Sequence, residues 1–124
     1  MEDFQLHDIH ATAPFPSLKR GLVAILRGLT PEEAEPIGTV LAEAGFEAIE
    51  VPLNSPQPLR SVEILARAFG DRLLIGAGTV LSARAVEDVA SAGGRLIVSP
   101  NVEAEVLVEA ARRGLVSMPG GVTP

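Results

Sequence analysis

Polar side chains interrupt or follow several short apolar runs of this 124-residue sequence. In folds built from parallel strands and helices, residues at the carboxyl ends of the strands form the binding and catalytic sites. These polar positions are therefore the candidate site residues, and the carboxylate among them suits proton transfer. They are Arg27, Glu50, Thr79 and the segment Ser99-Pro100-Asn101.

Glu50 is the most informative of these residues, because it lies inside an apolar run. In a strand it would share a face with Phe46 and Ala48. A carboxylate in such a place is costly unless it is paired or protonated. One interpretation is an ion pair with Arg27 that holds two neighbouring strands together, and the other is a catalytic role. The two interpretations are compatible, because a catalytic carboxylate also needs a partner.

The elements that would position these residues follow a repeating pattern of an apolar run, a capping residue, a helical stretch and a glycine. Pro36 interrupts the first helical stretch, which predicts that its first turn is separate. The predicted helix caps are Thr30, Ser55, Ser82 and Asn101. The predicted strands are 22–26, 46–51, 73–77, 96–98 and 115–118, and the predicted helices are 31–44, 56–68, 83–92 and 102–113.

The alternation of strands and helices predicts one α/β domain with a parallel sheet at 21–124, preceded by an N-terminal arm or helix at 1–20. The spacing fits both a (β/α) barrel and a doubly wound sheet, and periodicity does not separate them. A complete eight-unit barrel takes about 250 residues, so this length would supply about four and a half units. A partial barrel would leave its first and fifth strands as exposed edges, whereas an open five-stranded sheet would be complete.

Composition restricts the classes of partner. The formal net charge of −6 argues against nucleic acid, and the absence of cysteine excludes disulfides, thiolate zinc sites and cysteine nucleophiles. No apolar run approaches the ~20 residues that a membrane helix needs, and the acidic N-terminus lacks a signal-peptide core. The sequence therefore predicts a cytoplasmic protein that acts on a small molecule, without a membrane or nucleic-acid partner.

Two motifs suggest cofactors only weakly. Gly76-Ala77-Gly78 resembles the start of a dinucleotide-binding loop, but the third glycine and the acidic residue that should follow are missing. The alternative is that these glycines allow a close approach of the backbone to a ligand or a helix. His7 and His10 could bind a metal together with Asp3 and Asp8, but histidines in an arm are usually solvated. We therefore expect neither a cofactor nor a metal.

Five motifs in order and in register carry a resemblance to a known family, from about residue 20 to the end. The sequence resembles the class I 2-keto-3-deoxy-6-phosphogluconate and 2-keto-3-deoxy-6-phosphogalactonate aldolases. Asn54-Ser55-Pro56 is closer to the phosphogalactonate branch, since the phosphogluconate branch usually has arginine and threonine there. The five motifs are Leu-Val-Ala-Ile-Leu-Arg-Gly (22–28), Ile-Glu-Val-Pro-Leu-Asn-Ser-Pro (49–56), Gly-Ala-Gly-Thr-Val-Leu (76–81), Leu-Ile-Val-Ser-Pro-Asn (96–101) and Pro-Gly-Gly-Val-Thr-Pro (119–124).

The resemblance implies a trimeric TIM barrel that cleaves a phosphorylated 2-keto-3-deoxy sugar acid to pyruvate and glyceraldehyde 3-phosphate. A lysine forms a Schiff base with the keto carbon, so that neither a metal nor another cofactor is needed. Glu50 matches the general acid/base of the family, and Arg27 and Thr79 match residues around the pyruvate end of the substrate. Pro100 and Asn101 match a loop that lines the same pocket. Asn54 is a further candidate substrate-binding residue.

One departure from the family pattern is large. The Schiff-base lysine of the family lies on the sixth strand, and this chain ends before it, with roughly the first three-fifths of the fold present. Lys19 is the only lysine, and it precedes the first strand, at the wrong end of the barrel. The phosphate-binding loops after strands seven and eight are also missing. We expect a fragment of a longer aldolase. The alternatives are a non-catalytic partial barrel and a small module that binds phosphorylated metabolites at helix N-termini.

Overall fold

A computed structural model describes residues 16–122 of the chain. Within this range, strands and helices alternate along the chain. Residues 16–20 belong to no helix or strand, and the rest of the predicted arm, with both histidines, lies outside the described residues. The elements are β1 (Val23–Ile25), α1 (Pro31–Glu43), β2 (Ala48–Pro52), α2 (Pro58–Phe69), β3 (Leu74–Gly78), α3 (Ala83–Ser91), β4 (Leu96–Ser99), α4 (Ala104–Arg112) and β5 (Val116–Pro119).

The five strands form one parallel sheet in the sequential order β1-β2-β3-β4-β5. Right-handed crossovers between strands in this order place every helix on the same face of the sheet. A doubly wound sheet instead reverses its strand order once, so that its helices cover both faces. The sequence fits both a (β/α) barrel and a doubly wound sheet, and the observed strand order is that of a (β/α) barrel.

The packing of the strands confirms that only one face carries the helices. Alternate strand residues join the helices in a single apolar core, whereas the residues between them face the other side of the sheet. In the strand register, Ile25, Glu50 and Gly76 are aligned on that second face. In a complete barrel this second face is the interior. The strand residues in the helix-side core are Ala24, Ile49, Val51, Ile75, Ala77 and Ile97.

Two of the predicted helix caps are confirmed. The backbone N–H and the hydroxyl of Thr30 both donate to Glu33 Oε1, each at 2.9 Å, and Pro31 opens helix α1. Ser82 Oγ accepts the N–H of Ala85 at 3.1 Å at the start of α3. These contacts satisfy backbone or side-chain groups that a helix start leaves without an intrahelical partner.

The other two caps are wrong. Helix α2 begins at Pro58 behind Gln57, and α4 begins at Ala104 behind Glu103. Ser55 is instead buried in the loop between β2 and α2, and the side chain of Asn101 donates to Glu103 Oε1 at 3.0 Å. In both cases a short loop separates the strand from the helix, so the predicted cap residue lies in this loop and not directly before the helix.

The predicted break at Pro36 is also wrong, because α1 continues through it from Pro31 to Glu43. A proline inside a helix leaves the carbonyl four residues earlier without its usual N–H donor, here that of Glu32. Both residues are exposed. Water can therefore satisfy this carbonyl, and the helix keeps its course.

Candidate active site

Glu50 lies in the middle of β2, on the sheet face opposite the helices. Its side chain is buried, with 4% of the residue surface exposed, and its Oε2 atom has no hydrogen-bond partner. Burial raises the pKa of the Glu50 carboxyl above its ordinary value, because the charged form loses hydration, and the positive charge of Arg27 opposes this shift. A carboxyl with a raised pKa can both donate and accept protons nearer to neutral pH.

Space for this carboxyl comes from a glycine on the neighbouring strand. A Cβ atom added to Gly78 would collide with both carboxylate oxygens of Glu50, so the carboxyl lies directly over the Gly78 main chain. Gly76 makes room in the same way for the main chain of Leu96. Both glycines belong to β3 and not to a loop after a strand, so the resemblance to a dinucleotide loop is not supported. The expected close approach is confirmed, although the approaching groups are Glu50 and a neighbouring strand.

Arg27 lies two residues beyond the end of β1, the strand that pairs with the one that carries Glu50. Its guanidinium is exposed and makes no ion pair within 4 Å with Glu50, so the predicted direct ion pair is wrong. The charge of Arg27 still acts on Glu50 at longer range, since it lowers the pKa of that carboxyl.

The backbone on both sides of Arg27 is fixed to the second βα unit. Leu26 N–H donates to the carbonyl oxygen of Glu50 at 3.0 Å, and Gly28 N–H donates to Ser55 Oγ at 3.0 Å. The sequence does not reveal this role of Ser55, because serine before proline also suits a helix cap. The structure shows that Ser55 is buried between the end of β2 and the start of α2, where its hydroxyl accepts a hydrogen bond from another loop.

Thr79 follows Gly78 directly and has a backbone φ of 58°. A left-handed conformation is unusual for a β-branched residue and costs about 1–2 kcal/mol relative to the right-handed one. Such strain persists only where the surrounding structure imposes it, and it is concentrated at functional sites. Val80 N–H, which donates to the carbonyl of Val98 at 3.1 Å, fixes the chain after Thr79. This strained residue directly follows Gly78, the glycine that makes room for the Glu50 carboxyl.

Replacing Thr79 with glycine should raise the free energy of unfolding by about 0.5–1 kcal/mol, because relief of the left-handed strain exceeds the extra flexibility of unfolded glycine. Urea unfolding followed by circular dichroism measures this change. Thr39→Gly, in the exposed part of α1, is the control and should lower stability. A Thr79→Gly chain that is less stable than the wild type would show that no strain is stored at this position.

The remaining predicted site residues are exposed in loops at the same edge of the sheet: Asn54 after β2, and Pro100 and Asn101 after β4. Ser99 Oγ donates to the carbonyl of Asn101 at 3.1 Å. Gly120 N–H donates to the carbonyl of Ser99 at 2.7 Å, which joins the ends of β4 and β5. The structure thus places Glu50, Gly78 and Thr79 together, with Arg27 beside them. Asn54 and Asn101 lie farther out, in the exposed loops after β2 and β4.

Lys19 lies at the amino-terminal end of the strands, opposite the end where Arg27 and Thr79 lie. Its backbone N–H donates to Glu47 Oε1 at 2.7 Å, and Glu47 immediately precedes the first residue of β2. The prediction that this lysine is at the wrong end of the sheet for chemistry with Glu50 is therefore confirmed.

Other features of the described range do not form a second candidate centre. Between residues 16 and 122, no three His, Cys, Asp or Glu side chains are grouped so that they could hold a metal ion. No helix in this part of the chain is long and apolar enough to cross a membrane. A shallow groove between α1 and α2, lined by residues that include Glu35 and Arg60, is on the helix side of the sheet, away from Glu50.

Comparisons with known proteins agree with this arrangement. The family model "Aldolase: KDPG and KHG aldolase" matches residues 17–124. A "Probable 2-dehydro-3-deoxy-6-phosphogalactonate aldolase" of Rhizobium meliloti (strain 1021) is 56% identical over 111 residues, which cover 90% of this chain and 52% of that protein. A "2-dehydro-3-deoxy-6-phosphogalactonate aldolase" of Escherichia coli (strain K12) is 48% identical over 85% of this chain and 51% of that protein.

Solved structures have the same fold. A structure described as native KDPGal superposes with a TM-score of 0.84 at 46% identity and covers 86% of this chain and 52% of that chain. The KDPG aldolase of Legionella pneumophila, with pyruvate captured at low pH as a covalent carbinolamine intermediate, superposes with a TM-score of 0.74 at 31% identity. That match covers 82% of this chain and 48% of that chain.

The chain spans about half the length of the curated relatives that it matches. Over that half, the sequential parallel strands, the one-sided helix layer and the five sequence motifs correspond to a TIM-barrel-type fold of which five strands are present. The chain belongs to the KDPG and KHG aldolase family.

Proposed function

We propose that this chain, together with the remaining barrel units of its relatives, cleaves 2-dehydro-3-deoxy-6-phosphogalactonate to pyruvate and glyceraldehyde 3-phosphate through a Schiff base. The observation that carries the proposal is the Glu50 carboxyl. It is buried, without a hydrogen-bond partner on Oε2, and lies over Gly78 in a chain 56% identical to a probable aldolase for this substrate. The alternative substrate is 2-dehydro-3-deoxy-6-phosphogluconate, since 2-dehydro-3-deoxy-phosphogluconate aldolases match with lower identity.

Glu50 is the proposed general acid and base. When an amine has added to the keto carbon, the protonated carboxyl delivers a proton to the departing hydroxyl, and water leaves. The resulting carboxylate then accepts the proton of the substrate hydroxyl as the carbon–carbon bond breaks, and the bonding electrons move into the iminium. The raised pKa of Glu50 suits both steps, because each protonation state is then accessible near neutral pH. The amine comes from outside this sequence, since Lys19 is at the opposite edge.

Arg27 and Thr79 are the proposed contacts for the pyruvate end of the substrate. A guanidinium binds a carboxylate with two parallel hydrogen bonds, and Arg27 is exposed at the carboxyl edge beside β2. Thr79 adds a hydroxyl and backbone groups directly after Gly78. Asn54, Pro100 and Asn101, in the loops after β2 and β4, are proposed to line the outer part of the substrate pocket.

A second candidate is a non-catalytic partial barrel. It is favoured by the absence of a lysine near Glu50 and by apolar side chains along the β1 edge, where Leu22 is 49% and Ile25 is 62% exposed. An edge strand of this kind pairs with other chains or aggregates. This candidate predicts oligomers without imine chemistry.

The proposed assembly of the longer protein is a homotrimer in the cytoplasm. It is supported by the family resemblance and by a protein cage designed by fusing symmetric oligomeric domains, one chain of which matches 82% of this chain with a TM-score of 0.80. Light scattering of the longer protein, which measures its molar mass, would distinguish a trimer from other states.

The proposed chemistry is tested by trapping the Schiff base. A chimera joins this chain to the part of the Rhizobium meliloti relative beyond its matched region. Both the chimera and the 124-residue chain are incubated with pyruvate and borohydride, and their intact masses are measured. We expect one reduced pyruvyl group on the chimera and none on the chain. A folded chimera that forms no adduct would contradict the proposal, and oligomers of an unmodified 124-residue chain would favour the partial barrel.

A further inference from the structure

The position of Arg27 depends on two hydrogen bonds that flank it, and they have different origins. Leu26 N–H donates to the carbonyl of Glu50 at 3.0 Å, in the manner of a sheet ladder. Gly28 N–H donates to a side chain, Ser55 Oγ, at 3.0 Å. Both acceptors belong to the second βα unit. The first bond follows from strand pairing, whereas the second depends on the identity of residue 55.

Ser55 is itself held firmly. It is 7% exposed, and its N–H donates to the carbonyl of Pro52 at 3.0 Å, which closes a tight turn at the end of β2. On the other side of this loop, Leu53 N–H donates to the carbonyl of Gly78 at 2.9 Å. The loop after β2 is therefore joined both to the strand under the Glu50 carboxyl and to the loop that carries Arg27.

This arrangement gives Ser55 a specific task. Gly28 has a φ of 85° and is exposed, and nothing lies within 4 Å of a Cβ placed on it. Side-chain packing at Gly28 therefore does not hold this turn. The chain beyond Arg27 is held by the buried side chain of Leu29 and by the bond from Leu29 N–H to the carbonyl of Leu26 at 3.2 Å. At Gly28 itself, the contact that holds the backbone is the one with the Ser55 hydroxyl.

We propose that Ser55 is a positioning residue for anion binding: its hydroxyl holds Gly28 and thereby aims Arg27 at the substrate carboxylate next to Glu50. The inference rests on the proposed function, since it assumes that Arg27 contacts the carboxylate. Without the Ser55 hydroxyl, Gly28 N–H bonds to water and Arg27 samples more orientations. Binding must then order the loop, and the cost in free energy lowers the affinity for the anion.

The predicted effect is on binding and not on folding. Because Gly28 is exposed, water can replace the hydroxyl as its partner, so Ser55→Ala should remain folded. A single neutral hydrogen bond changes an equilibrium by about fivefold, and we expect a pyruvate Kd about fivefold higher. Ser55→Thr retains an oxygen at the same position and should restore the wild-type Kd.

The test uses the chimera described above, labelled with ¹⁵N, and pyruvate as the probe. Pyruvate Kd values come from amide shift changes, and hydrogen exchange of the Gly28 amide is measured in the same samples. Ser55→Ala should raise the Kd and accelerate Gly28 exchange. Ser82→Ala is the matched control, since Ser82 also accepts a backbone N–H, from Ala85, and it should change neither quantity.

A double-mutant cycle with Arg27→Ala separates positioning from a general structural effect. If Ser55 acts through Arg27, Ser55→Ala has no further effect on the Kd once Arg27 is removed. A Ser55→Ala chimera that binds pyruvate as tightly as the unmodified chimera, or effects of the two substitutions that simply add, would overturn the inference and leave the proposed function intact. A folded, unmodified chimera without pyruvate-induced shifts would overturn the proposed binding site itself.

Discussion

Replacing Glu50 with glutamine in the barrel chimera should lower the rate constant of aldol cleavage by about 10²–10⁴-fold, the usual contribution of a positioned general acid or base. The substitution keeps the shape of the side chain and removes its ability to exchange a proton. The Schiff base should still form slowly, because the amine is unchanged, so borohydride trapping with pyruvate reports on the two steps separately. Single-turnover cleavage of the phosphorylated sugar acid is the measurement.

The same substitution should not unfold the protein, and the pKa shift gives the sign of its effect. Burial raises the pKa of Glu50 in the folded state, so the ionised form destabilises the fold. This cost is present above the raised pKa and disappears as the pH falls below the ordinary pKa of a glutamate. Glu50→Gln should therefore be more stable than the wild type at neutral pH, with a difference that shrinks towards acidic pH.

Glu47→Gln provides the matched control. The same change is made three residues earlier, at the opposite edge of the sheet, where Glu47 accepts the backbone N–H of Lys19 at 2.7 Å. Its cleavage rate should equal that of the unmodified chimera. A Glu50→Gln chimera that cleaves substrate at more than about a tenth of the unmodified rate would exclude Glu50 as the general acid/base.

The sequence predicts the architecture well because two independent patterns agree. Apolar runs separated by capped helical stretches define the order of the elements, and polar residues at the strand ends indicate the edge that carries the site. The caps at Thr30 and Ser82 are found as predicted, because each lies directly before a helix. What periodicity leaves open is the face on which each helix packs, and only the order of the strands in space decides between the barrel and the doubly wound sheet.

Two of the wrong predictions concern groups that are far apart in the sequence, which local propensity does not describe. Ser55 has the sequence context of a cap, yet its hydroxyl accepts a hydrogen bond from Gly28, 27 residues earlier in the chain. Arg27, in the loop after β1, and Glu50, in β2, have opposite charges, yet they make no direct ion pair. For the glycines of β3, the sequence favours a close approach over a nucleotide loop, and the carboxyl of Glu50 does occupy the space above Gly78. Each outcome depends on how different strands and loops are placed relative to one another.

Gly78→Ala tests the geometry on which the proposed chemistry depends. The added methyl group would collide with the oxygens of the Glu50 carboxyl, which is the movable end of a side chain, so the carboxyl should shift while β3 stays in place. A displacement of about 1 Å at a reacting group costs about 100-fold in rate, and we expect that loss in the cleavage rate of the chimera. Overpacking should cost about 1–3 kcal/mol of unfolding free energy.

Gly76→Ala is the control that separates a displaced carboxyl from a disrupted sheet. There the methyl group would collide with the main chain of Leu96, which cannot move without breaking the pairing of β3 with β4. Gly76→Ala should therefore lose more unfolding free energy than Gly78→Ala does. If Gly78 acts through Glu50, adding Gly78→Ala to Glu50→Gln leaves the cleavage rate of Glu50→Gln unchanged. A further 100-fold loss in the double variant would mean that Gly78 serves the reaction independently, for example by admitting substrate to the space above β3.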